Sequence, residues 1–169
     1  NNVLRSSHFN QIIDDIIAAG FGKGAYYINP KTGKKVQRYV DFNQGLDIRL
    51  TTEANIDLIN RIKVKNIHFA WDNAKDDLKS YFERYKALAK HKPHGRYGTV
   101  YCLTNFGSTM EENLYRIYTL RDLGYDPYVM IYDKPNAPKE VRDLQRWVNN
   151  PYIFRSCNKF EDYKKAVVE

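Results

Sequence analysis

A chain of 169 residues is long enough for one domain with a real core. Apolar residues at 43% and charged residues at 28% exclude a disordered or membrane-embedded chain, and no apolar run approaches the roughly 18 residues that a spanning helix needs. The net charge of +7 tolerates polyanions without specifying one. Its lysines and arginines are spread along the chain, and we read them as mostly solvated surface.

In chain order, Phe9 to Ala19 reads as a helix, because Phe9, Ile12, Ile13, Ile16 and Ile17 fall on one stripe. Ser6 or Ser7 is placed to cap it and Gly20 to end it. Asn29-Pro30-Lys31-Thr32-Gly33 is turn chemistry between two β-rich runs, which predicts a hairpin. A regular alternation follows: a strand from Arg38 to Asn43, a helix from Thr51 or Thr52 to about Ile62, a strand from Asn66 to Trp71, and a long helix from about Lys75 to His91. A strand then runs from Gly98 to Thr104, and a helix from about Met110 to Leu123 with a capping box formed by Thr109 and Glu112. Tyr128 to Tyr132 reads as a strand, Pro138 to about Val148 as a helix, Tyr152 to Phe154 as a short strand, and a last helix begins near Phe160. Strands alternating with helices predict an α/β chain with mainly parallel strands, either an open doubly wound sheet or a full or partial barrel, in a single domain over 1–169.

Parallel βα folds gather ligands at the C-terminal ends of their strands. Those ends read Asn43-Gln44-Gly45, Trp71-Asp72-Asn73, Thr104-Asn105-Phe106-Gly107 and Tyr132-Asp133. Alternation puts Val40 and Phe42 on one face of the first strand, with Asp41 and Asn43 on the other; in the next, Ile67, Phe69 and Trp71 oppose His68, Ala70 and Asp72. With the apolar faces toward the helices, Asp41, Asn43, His68 and Asp72 are expected to converge on a hydrated, ligand-holding interior. Turn chemistry alone also places Asn and Asp at such positions. His68 reads either as a hydrogen-bonded strand residue or as a base. Cys102 and Cys157 are too few and too far apart for a disulfide framework or a zinc site, which fits a reducing, cytoplasmic compartment. There is no Walker loop, no dinucleotide fingerprint, no nucleophile elbow and no HExxH.

Three segments resemble one branch of the radical S-adenosylmethionine (SAM) superfamily, the Fe–S oxidoreductases: Val40-Asp41-Phe42-Asn43-Gln44-Gly45-Leu46-Asp47-Ile48-Arg49, Ile67-His68-Phe69-Ala70-Trp71-Asp72, and Tyr101 to Glu112 with its Thr-x-x-Glu helix start. Leu123 to Tyr132 and the tail Leu144-Gln145-Arg146-Trp147-Val148-Asn149-Asn150, with Ile153 to Cys157, are similar to that branch too. The resemblance covers nearly the whole chain. It implies a partial (β/α) barrel of which this chain is the C-terminal part, with Asn1-Asn2 at the end of the third strand. It further implies a [4Fe–4S] cluster held by a CxxxCxxC loop that this chain lacks. SAM bound at the open iron would be cleaved reductively, giving a 5′-deoxyadenosyl radical that abstracts hydrogen from an unidentified substrate. By this resemblance Asn43, Gln44, Arg49, Asp72 and Asn73 face SAM, while His68, Asn105 and Tyr132 face the substrate; Arg49 has a salt bridge to Asp47 as its competing role. The chain by itself is expected to hold no cluster, to be inactive, and to associate through an uncovered strand edge in the absence of the other half of the barrel. Two other readings stand beside it: a non-catalytic basic α/β module that binds nucleic acid or another polyanion, and an ordinary α/β hydrolase or transferase, for which no nucleophile–base pair is present.

Overall fold

The computed structural model describes residues 2–168, with side chains described through Lys164. The chain forms two compact units, Asn1–Ala70 with Leu78–Thr99 and Trp71–Asp77 with Val100–Glu169. No helix among the described residues is long and apolar enough to cross a membrane.

In the first unit, α1 (Phe9–Ile16) buries Phe9 and Ile13 and passes into a wider turn over Ile17–Phe21. Gly20 ends the helical run as expected, with a left-handed φ of 86°, but the last turn is widened over Ile17–Phe21 and is not α-helical. Ser6 Oγ accepts from the His8 N–H rather than from the helix itself, so neither predicted serine caps it. The hairpin forms as expected: β1 (Tyr27–Ile28) and β2 (Lys35–Val36) are antiparallel, and Asn29 Oδ1 accepts from the Lys31 N–H across the turn.

The strand β3 (Val40–Leu46), the helix α2 (Glu53–Ile59) and the strand β4 (Val64–Ala70) make one βαβ unit with parallel strands. Thr52 caps α2 by accepting from the Asn55 N–H. Asp41 lies opposite Asn66 and Phe42 opposite Ile67, but the next pair is Leu46 with Phe69, so β3 takes four steps where β4 takes two. That bulge carries Asn43, Gln44 and Gly45 out of the ladder, with Gly45 at φ 76°. Ile67 and Phe69 are buried as alternation predicted, and α3 (Lys79–Leu88) covers them with Phe82 and Tyr85, whose rings meet Phe69 edge-on at 6.0 and 4.9 Å. The buried Tyr85 hydroxyl lies 2.6 Å from His91 Nε2.

In the second unit, the segment Trp71–Asp77 joins β5 (Thr99–Thr104, from Val100), α4 (Met110–Leu123), β6 (Asp126–Ile131), α5 (Lys139–Asn149), α6 (Pro151–Ser156) and α7 (Phe160–Val168). The Thr109–Glu112 capping box forms, and Gly124 ends α4 at φ 89°. Tyr101 pairs edge-on with Tyr128, and the Tyr132 N–H donates to the Thr104 carbonyl; β5 and β6 therefore ascend together, in parallel. Trp147 centres the core, with ring centroids 4.9 Å from Phe154 and 5.5 Å from Phe160, and its indole N–H donates to the Cys157 carbonyl. The predicted strand at Tyr152–Phe154 is instead the helix α6. Pro151 starts its first turn and Asn150 Oδ1 accepts from both the Tyr152 and Ile153 N–H groups, so the Asn-Pro start overrides three β-favouring residues. On β6, Val129 has its N–H met by Asn149 Oδ1 and its carbonyl met by Asn149 Nδ2 and Gln145 Nε2. Side chains of α5 thus occupy backbone groups that another strand would otherwise pair with.

Two outcomes are expected. A Cβ on Gly98 (φ 152°) would stand 2.7 Å from Ile67 Cγ2 and 2.8 Å from the Ile67 carbonyl oxygen, so Gly98→Ala lowers the unfolding free energy by about 2–4 kcal/mol in urea titration. Burial, followed by the charge of Lys23, holds the His91 pKa down at about 4, against 6.5 for an ordinary histidine. The unfolded chain therefore takes up this proton near pH 6.5 and the folded chain near 4, so stability falls as pH drops through that window. The fall is on the order of 2–3 kcal/mol and is missing from the stability–pH curve of His91→Gln.

Candidate functional site

The bulged end of β3 forms one wall of an open cavity of about 790 Å³ in the first unit, with α1 and the turn before it as the opposite wall. Asn43 and Gln44 are exposed and line it, together with Gly45 and Asp47. Phe9, Ile12, Ile13 and Ile16 of α1 give the facing wall an apolar surface. Arg49 does not line the cavity. It forks onto Asp47, with Nε 2.9 Å from Oδ1 and Nη2 3.0 Å from Oδ2, and this contact holds the Asp47 carboxyl below its usual range.

His68 does not line the cavity either; its Nδ1 lies 3.2 Å from the Phe42 carbonyl oxygen. Asp41 accepts from Asn66 Nδ2 at 2.8 Å, so the polar face of these strands is partly satisfied by its own members. Asn43, Gln44, His68 and Arg49 thus all belong to the first unit, where only Asn43 and Gln44 meet around the cavity.

The remaining candidates lie in the second unit. Asn73 closes a local turn, its Oδ1 accepting from the Lys75 N–H and its Nδ2 donating to Asp76. Partial burial pushes the Asp72 carboxyl upward, against the Leu103 N–H and the charge of Arg116, which pull it back. Asn105 and Tyr132 do come together: Asn105 Nδ2 donates to the Tyr132 carbonyl at 2.9 Å. Asn105 (φ 59°) and Asp133 (φ 48°) are both left-handed without being glycine, and the exposed rings of Phe106 and Tyr132 lie 4.9 Å apart beside them. Left-handed Asn and Asp thus stand beside an exposed aromatic pair at the C-terminal ends of two parallel strands.

Sequence reasoning missed the residue that organises these ends. Arg116 of α4 is fully buried. Its Nη1 donates to the Trp71 and Asp72 carbonyls, and its Nη2 to the Leu103 carbonyl at 2.9 Å and to Asn113 Oδ1 at 2.6 Å. The signal was present: Arg116 follows Asn113 and precedes Ile117 and Leu120 on the buried face of α4, where a charge needs a reason. Lys75 adds a surface ion pair to Glu112 at the start of the same helix.

Among the described residues no group of three His, Cys, Asp or Glu could hold a metal ion. Burial pushes the Cys102 thiol up to about 12, which disfavours the thiolate that a cluster requires. Cys102 as it is placed is therefore poorly suited to ligate a cluster. Two βαβ units with polar C-terminal strand ends define an α/β chain with parallel strands. No protein-family model, no curated protein and no solved structure matches it.

If Arg116 clamps these strand ends, Arg116→Met leaves three carbonyls and Asn113 without donors. We expect it to lower the unfolding free energy by about 2–4 kcal/mol in a urea titration, whereas a neutral result would mean that burying the charge cancels its bonds.

Proposed function

We propose that this chain is the C-terminal part of a radical SAM enzyme with a partial (β/α) barrel, and that the cavity at the end of β3 takes SAM. One observation carries the reading. The segment with the most specific resemblance, Asn43-Gln44-Gly45, is the one that leaves the strand ladder to line an open cavity. Its volume of about 790 Å³ falls within the range of small-molecule sites, roughly 300–1,000 Å³.

This chain's own residues bind and orient. The Asn43 and Gln44 carboxamides each carry donors and an acceptor, which suits ribose hydroxyls and an amino-acid head. The face of α1 supplies apolar contact for the rest of the ligand. Arg49 reaches a ligand carboxylate only by exchanging Asp47 for it, so the Asp47–Arg49 fork is a competitor for that role.

When bound, SAM together with a [4Fe–4S] cluster supplies the hydrogen-abstracting chemistry, and the protein supplies position and dryness. Cysteines outside this chain would hold the cluster. In the full-length enzyme, Asn43→Ala and Gln44→Ala are each expected to weaken SAM binding about tenfold in equilibrium dialysis. Unchanged affinity in both would overturn the assignment of this cavity.

A further inference from the structure

We propose that the opposite, N-terminal end of β4 carries a second site, which takes a compact phosphate-bearing anion. A cavity of about 550 Å³ opens there, lined by Lys23, Lys63, Lys65, Lys90, Lys92 and His91 with no carboxylate among its lining residues. No ion pair links any of the five lysines to a carboxylate among the described residues. Five like charges around one hollow repel each other, and a polyvalent anion relieves that repulsion.

The hollow is built rather than incidental. Three backbone segments are tied together to make it. The Lys23 N–H donates to the Arg61 carbonyl at 2.9 Å, the Lys63 N–H donates to the Phe21 carbonyl at 3.0 Å, and Gly22 bridges Ile62. Asn60 holds the third segment from the far side, donating to the Leu88 carbonyl and accepting from the Lys90 N–H at 2.7 Å. These ties fix the backbone at Lys23, Lys63 and Lys90, while the Lys63 ammonium lies over the Tyr39 ring at 6.0 Å and the Lys92 ammonium over the Tyr97 ring at 4.9 Å, contacts that leave both charges without a counter-ion.

His91 adds a buried, unpartnered polar atom. Its Nε2 faces the Tyr85 hydroxyl and its Nδ1 has no hydrogen-bond partner. If the Tyr85 O–H donates to Nε2, only the Nδ1–H is left unsatisfied. The opposite arrangement strands both the tyrosine proton and the Nδ1 lone pair, so the first is favoured. His91, itself a lining residue, then keeps a buried Nδ1–H without a partner beside a hollow lined by five lysines, whose ammonium groups match the oxygens of a phosphate chain. The site lies at the other end of the strands from the β3 cavity and does not depend on what that cavity binds.

The test is isothermal titration of the full chain with tripolyphosphate at constant ionic strength. The Lys65→Gln/Lys92→Gln double variant changes two exposed lining lysines, and Lys31→Gln/Lys34→Gln removes the same charge from the hairpin turn outside the cavity. The expected result is one saturable site, weakened about tenfold or more by the first pair and little changed by the second. No saturable binding overturns the proposal, and so does an equal loss in both pairs, which would mark diffuse attraction. Saturation by a single-stranded oligonucleotide but not by tripolyphosphate overturns it as well, in favour of an extended nucleic-acid surface. Circular dichroism melting of each variant separates lost binding from lost folding.

Discussion

A single buried guanidinium fixes the strand ends of the second unit. A charge inside a protein costs several kcal/mol unless its donors are used. Arg116 uses them on one carboxamide and on three backbone carbonyls, those of Trp71 and Asp72 just past β4 and of Leu103 near the end of β5. The irregular backbone that a ligand site needs is thereby made affordable. Its Nε remains without a partner, and Asp72 and Glu112 supply the nearest compensating negative charge.

The first unit solves the same problem by other means. There the ladder between β3 and β4 is broken by a bulge, and Gly45 takes the conformation that lets three residues swing into the cavity. Neither device is visible as a motif. Both act at the C-terminal ends of parallel strands, where α/β proteins hold their ligands. At the other end of β4 the backbone ties around Lys23, Lys63 and Lys90 gather positive charge, so the two ends of one strand differ sharply in what they attract.

Much of the fold was legible because local signals agreed. Thr109 with Glu112, Gly124 after Leu123, and the alternation of Ile67 and Phe69 each had one physical solution, and each took it. Tyr152 to Phe154 was misread because three β-favouring residues cannot be told from a helical turn by periodicity. The Asn150-Pro151 start decided the matter, through two hydrogen bonds that a short window does not weigh. The tail Leu144 to Asn150 shows why such runs are distinctive. Trp147 fills the core, Gln145 and Asn149 satisfy Val129, and Asn150 begins the next helix. Of the candidate residues, Asn43 and Gln44 line one cavity, and Asn105 bonds the Tyr132 carbonyl. His68 and Arg49 took the competing roles that the sequence also offered, a contact with the Phe42 carbonyl and a fork onto Asp47, because those partners lie within reach on the same or the adjacent segment. Arg116 was missed because a charge on an amphipathic helix is usually read as its solvated face.

We propose that the β3 cavity serves SAM in a larger iron–sulfur enzyme. The most direct measurement is 5′-deoxyadenosine release from the full-length protein, reconstituted anaerobically with iron and sulfide and supplied with SAM and a low-potential reductant. The account predicts release that requires both the cluster and the reductant. Protein that assembles no cluster, or a cluster-loaded protein that releases no 5′-deoxyadenosine, would contradict it.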